Sequence, residues 1–176
     1  MSSINRLNLF LLIIILVLAA LNFLPSETDY RPLTSIAPDT IQSITISSRQ
    51  RQLAFRRQES NRNSNQDSHQ HSQWLSAASP GKAIDTETIS KLLGILKTHS
   101  FRQFEKTEGN LAMFGLNTPQ YQLTLDNLAI LFGTSDPLQQ HRYVLLNDKI
   151  HLISDLYLQF FLADEAFFLS NPPVEN

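Results

Sequence analysis

FGLNTPQYQLTLDNLAILFG, residues 114–133, decides how this chain folds. Tyr121, Leu123 and Leu125 alternate with Gln122 and Thr124, which is the period of a strand with one buried face. Asp126-Asn127 is a tight-turn pair, and Leu128, Ile130 and Phe132 run back with the same period to Gly133. Just ahead of the pair, a very short helix is expected around residues 110–114. Gly115 would close it in the left-handed conformation, with Leu116 placed against Leu111, and Pro119 blocks any continuation.

Working outward on the C-terminal side, Asp136-Pro137 opens a loop and Tyr143 to Leu146 forms a strand. Asn147-Asp148 then turns the chain, and Ile150, Leu152 and Ile153 return. The stretch from Leu156 to Leu169 reads as a single apolar helix carrying Phe160, Phe161, Phe167 and Phe168. Packing on one sheet buries only a stripe of about 100–140°. Phe161 and Phe168, a heptad apart on a neighbouring face, are therefore expected to stay uncovered and to form a partner surface.

On the N-terminal side, Ile89, Leu92, Leu93 and Leu96 follow Asp85 at i, i+3, i+4 and i+7, an amphipathic helix with an N-cap. Trp74-Leu75 is a short strand. Residues 59–73 hold no apolar side chain and read as a disordered polar hairpin loop. Before them, Ile41, Ile44 and Ile46 mark one strand, and Leu53 with Phe55 marks its hairpin partner.

The sum is an α+β domain over residues 41–170: a mostly antiparallel sheet of about six or seven strands with two main helices on one face. Its two halves read as sheet-plus-helix units without the identity that defines a repeat.

Residues 7–24 are of another kind. No polar residue interrupts the run from Leu9 to Leu21, and as a helix the segment reaches roughly 27 Å, close to the hydrocarbon thickness of a bilayer. It is expected to span the membrane and make the lipid bilayer the chain's first partner. Arg6 on one flank, against Glu27 and Asp29 on the other, places residues 1–6 in the cytoplasm and the domain outside it. The rival reading is a cleaved signal peptide, with Val17 and Ala19 as the small-residue site; the length of the run argues against it. Residues 25–40, with Pro25, Pro32 and Pro38, form a stalk, and residues 171–176 a tail.

The ordered series Phe114-Gly115-Leu116-x-x-Pro119, two strands ending at Gly133, Arg142-Tyr143, and the strand at His151-Leu152-Ile153 resembles a bacterial family, domain of unknown function 4340. Upstream, Pro38-Asp39, the Ile41–Ile46 strand, Trp74-Leu75, Pro80 and the helix at Ile89–Leu96 fit the same pattern, so the resemblance covers about residues 33–170. The polar insert at 59–73 and the tail Ser170-Asn171-Pro172-Pro173 depart from it. What the resemblance implies is a membrane-tethered extracytoplasmic domain in the bacterial inner membrane, facing the periplasm. Some relatives accompany transporter-like systems, and no activity is implied.

Composition removes several chemistries. The 176 residues carry a net charge of −2, so no global field draws nucleic acid. There is no cysteine, which excludes disulfides, thiolate metal sites and a Cys nucleophile. His69 and His71 beside Asp67 form the one cluster with metal-ligand character, in a loop with no supporting shell, and no metal or other cofactor is expected there. Arg49, Arg51, Arg56, Arg57 and Arg62 either touch anionic headgroups or form a solvated hairpin tip, and the second is the plainer reading. His151 is expected on the polar face of its strand.

No phosphate loop or nucleophile elbow occurs, and Asp164-Glu165 diverge by about 100° on a helix. The motif Phe114, Gly115, Leu116, Pro119, Gly133, Arg142 and Tyr143 is expected to be structural. Two functions remain: a non-enzymatic interaction or scaffolding domain of a membrane complex whose partner is another membrane or periplasmic protein, and a small-molecule or lipid-binding accessory of a transport system.

Overall fold

The computed structural model describes residues 31–59, 72–136 and 138–170. The apolar segment 7–24, residues 25–30 of the stalk, residues 60–71 with Arg62, His69 and His71, and the tail 171–176 lie outside the described residues. Among the described residues no helix is long and apolar enough to cross a membrane.

Eight strands form one antiparallel sheet: β1 (Ser43–Ser48), β2 (Gln52–Glu59), β3 (Ser72–Ser76), β4 (Arg102–Glu105), β5 (Tyr121–Leu125), β6 (Leu128–Asp136), β7 (His141–Leu146) and β8 (Lys149–Ser154). Their order is β3-β2-β1-β5-β6-β7-β8-β4. Two meanders thus fan outward from a central antiparallel pair, β1 with β5, in which Ile44 faces Leu125 and Ile46 faces Leu123. Asp126 at φ 51° and Asn147 at φ 53° hold the turns into β6 and β8, conformations that Asp and Asn tolerate better than most residues.

The helices are α1 (Thr86–Leu93), α2 (Glu108–Met113) and α3 (Leu158–Leu162). Asp85 caps α1 by accepting the Glu87 N–H at 3.1 Å, and a 3-10 turn over Gly94–Lys97 extends it. Its buried stripe, Ile89, Leu92, Leu93, Ile95 and Leu96, packs on one sheet face against Ile44, Leu123, Ile130, Phe132 and Val144. On the opposite face a smaller core joins Phe114, Leu116, Leu145 and Ile150.

Two expectations are corrected. The sheet has eight strands among the described residues, because Arg102–Glu105 pairs with β8; with Phe104 as its one apolar residue, this edge strand shows no alternation to read. The two main helical elements, α1 and the terminal segment, share one core, and the very short α2 lies over the second, smaller one. The C-terminal stretch is also not one helix. A 3-10 turn at Asp155–Tyr157 leads into α3, the chain extends at Ala163 and Asp164, and a second 3-10 turn follows at Glu165–Phe168. Asp164 causes the break by accepting the Phe167 N–H as a cap.

The break redirects the rings. Phe161 and Phe168 are 2% and 0% exposed, so neither forms the open partner surface expected of it. Phe161 lies against Phe132 with centroids 4.4 Å apart, and Phe168 against Phe55 at 4.9 Å.

Candidate functional site

The motif residues converge where α2 meets the sheet. Thr107 caps α2 through the Asn110 N–H. At the other end Gly115 takes φ +67°, its N–H reaches the Ala112 carbonyl at 3.2 Å, and the Leu116 N–H reaches that of Leu111 at 2.8 Å. Those two bonds are the Schellman closure. They aim the Phe114 carbonyl at β6, where it accepts the Thr134 N–H at 2.8 Å and the Thr134 hydroxyl at 3.2 Å.

Gly133 makes this approach possible, because a Cβ there would stand 2.1 Å from the Phe114 oxygen. β6 bulges at the same place: Phe132 faces Val144 but Ser135 faces Arg142, one residue too many on the β6 side. Arg142 repairs the ladder. Its Nη1 donates to the Gly133 carbonyl at 2.6 Å, and its Nε and Nη2 form a fork on Asp155 at 2.5 and 3.2 Å. Arg142 itself is 7% exposed. On the other side of β7, Tyr143 stacks on Phe114 at 3.9 Å and 13°, and Phe104 leans on both rings. Pro119 stands half-buried between this latch and β5.

A family model for a domain of unknown function, DUF4340, matches residues 74–169. The chain belongs to the DUF4340 family. No curated protein and no solved structure matches it. In this DUF4340 chain the motif residues other than Pro119 thus have their side chains or backbone committed to one another.

The other candidates separate. His151 is buried, with Nδ1 2.9 Å from the Ser100 hydroxyl, rather than on a polar strand face. The cause is that β8 is covered on both sides, with Ile150, Leu152 and Ile153 also buried. Burial holds the His151 pKa below the ordinary histidine value, and Lys149 adds to the effect. Glu165 accepts from the Ser76 and Ser79 hydroxyls, while Asp164 caps, so these carboxylates do not converge. Among the described residues no group of three or more His, Cys, Asp or Glu could hold a metal.

The arginine cluster divides too. Arg57 lies 5.0 Å over the Trp74 ring and donates to the Asp39 carbonyl, whereas Arg49 and Arg51 sit at the β1–β2 turn. There they line a cleft of about 570 Å³ with Ser48, Gln50, Gln120, Tyr121, Phe161 and Leu162. The sequence shows the two arginines but not the cleft, because its far wall comes from the terminal segment more than a hundred residues away. Arg51 joins the walls by donating to the Phe161 carbonyl at 2.9 Å.

Proposed function

We propose that this DUF4340 chain is a membrane-tethered, non-catalytic interaction domain held outside the cytoplasm as a subunit or accessory of a membrane protein complex. The observation that carries this reading is the outer face of the terminal segment. After Phe160, Phe161 and Phe168 are buried, Phe167 is still 45% exposed beside exposed Ala166. An aromatic ring held outward on a packed layer, with no hydrogen-bonding duty, suits a protein partner. The motif supports the same reading, since Gly115 and Gly133 serve backbone geometry, Arg142 is bound to Asp155 and the Gly133 carbonyl, and Phe114 stacks on Tyr143.

The cleft beside Arg49 and Arg51 favours a second reading, an accessory module that holds an anionic amphiphile for a transport system. The two readings are separated by placing a photo-crosslinker at position 167 in intact cells, with Asp148 as control. A discrete adduct at 167, absent at 148 and lost to co-purification in Phe167→Ser with an unchanged melting point, supports the interaction domain. Absence of any adduct at 167 overturns it.

A further inference from the structure

We propose that the sheet end at which the chain enters the domain is a bilayer-docking surface, on which exposed leucines enter the interface and Arg49 and Arg51 meet the phosphates of anionic lipids. This rests on reading residues 7–24 as an anchor.

Three observations meet at that end. The first is where the described chain begins. The Arg31 carbonyl accepts the Ser100 N–H at 2.9 Å and the Leu33 N–H reaches the Thr98 carbonyl at 2.9 Å, so the entry point is fastened beside the start of β4. Only residues 25–30 separate it from the apolar run, a reach of at most about 24 Å fully extended. A surface tethered so closely meets the bilayer at high effective concentration, and weak contacts are enough to hold it.

The second observation is the distribution of apolar exposure. The pairings Ser48 with Tyr121, Asp136 with His141, His141 with Ser154 and Arg102 with Leu152 place one set of connections at this end. Six large apolar side chains are exposed among the described residues, and four belong here: Leu138 at 91%, Leu156 at 73%, Leu162 at 62% and Phe101 at 46%. The opposite end carries the polar turns Asp126-Asn127 and Asn147-Asp148.

The third is charge. Arg49 has no partner among the described residues, and Arg51 commits one nitrogen to the Phe161 carbonyl. Of the nearby carboxylates, Asp155 is neutralised by Arg142, and Asp136 accepts the Leu138 N–H. Leu162 lines the same cleft as Arg49 and Arg51, and exposed leucines with guanidinium groups on one sheet end suit an anionic interface, where the leucine side chains are dry and the charges stay at headgroup level.

Because the chain has no cysteine, single cysteines at Leu138, Leu156 and, as control, Asp148 can carry a fluorophore. The full chain is reconstituted in phosphatidylcholine vesicles with and without phosphatidylglycerol, using brominated acyl chains as quencher. The expected result is quenching at 138 and 156 in the anionic vesicles and none at 148. Arg49→Gln should lower the docked-to-undocked ratio about fivefold, and Arg49→Gln with Arg51→Gln about 30-fold.

Labels at 138 and 156 as unquenched as 148, on a chain that resists carbonate extraction, overturn docking while leaving the anchor. Extraction by carbonate overturns both. Quenching indifferent to phosphatidylglycerol and to Arg49→Gln overturns the arginine assignment. Shielding of 156 from iodide in native membranes, without lipid quenching in vesicles, gives the surface to a protein instead.

Discussion

At the scale of single residues, two glycines in one latch are needed for different reasons. Gly115 holds a left-handed φ, so Gly115→Val forces a branched residue into a conformation it resists and sets a Cβ 2.8 Å from the Thr134 methyl. A loss on the order of 1–2 kcal/mol or more is expected in thermal unfolding of the full chain in mild detergent, with Asn117→Ala, on the exposed run after the latch, costing little. At Gly133 a methyl would meet a backbone oxygen that cannot move without opening the latch, so Gly133→Ala should cost at least as much as Gly115→Val. Arg142→Ala strands Asp155 and the Gly133 carbonyl at once, and a loss of about 3–5 kcal/mol is expected in the same measurement. Arg142→Lys should recover only part of it, since an ammonium cannot fork onto Asp155 while bonding the bulge.

His151 ties a residue to pH. Its folded pKa lies below its unfolded one, so below about pH 6.5 the unfolded chain binds a proton that the folded chain resists. Stability should therefore fall as pH drops through that range, and His151→Gln should flatten the fall. Asp85 acts in a separate window. The Thr88 hydroxyl bond lowers its pKa from 3.8, overcoming the opposing effect of burial, with the Glu87 and Thr88 backbone groups and Lys91 helping. Its contribution is present above that value and lost in stronger acid. Unfolding midpoints across pH, for wild type and His151→Gln, check both signs.

At the scale of elements, the terminal segment is the informative one. As a continuous helix it would have left two rings uncovered; as two short turns joined at Ala163 and Asp164 it buries three and turns Phe167 out. Phe161→Ala should accordingly cost about 3–5 kcal/mol, whereas Phe167→Ser should move the melting point little. An equal loss in both variants would show that Phe167 also serves the core. α1 behaves as its sequence says: a capped, one-sided helix whose Asp85→Ala variant should lose about 1 kcal/mol.

At the scale of the whole molecule, the prediction concerns topology. With residues 7–24 spanning and the domain outside the cytoplasm, a C-terminal alkaline phosphatase fusion should be active and remain with membranes after carbonate washing. Activity in the soluble periplasmic fraction would instead identify a cleaved signal peptide, and an inactive fusion would reverse the orientation.

The sequence by itself determined whatever depends on neighbours along the chain. The hairpins of β5–β6 and β7–β8, the capped stripe of α1, and the closure at Gly115 and Leu116 are local, set by side-chain period, capping and turn chemistry. Only the tertiary structure decided what depends on distant partners. β4 is a strand because β8 supplies its ladder, and His151 is buried because both faces of β8 are covered. Gly133 is required because Phe114, nineteen positions earlier, comes back to touch it. The cleft at Arg49 and Arg51 has one wall from the first hairpin and another from the last helix, so no window of sequence contains it. Packing area and chain reversal are properties of the assembled sheet. The closure at Gly115 was legible as geometry, while the exposed ring of Phe167 and the exposed leucines appear only once the core has taken its share of the side chains.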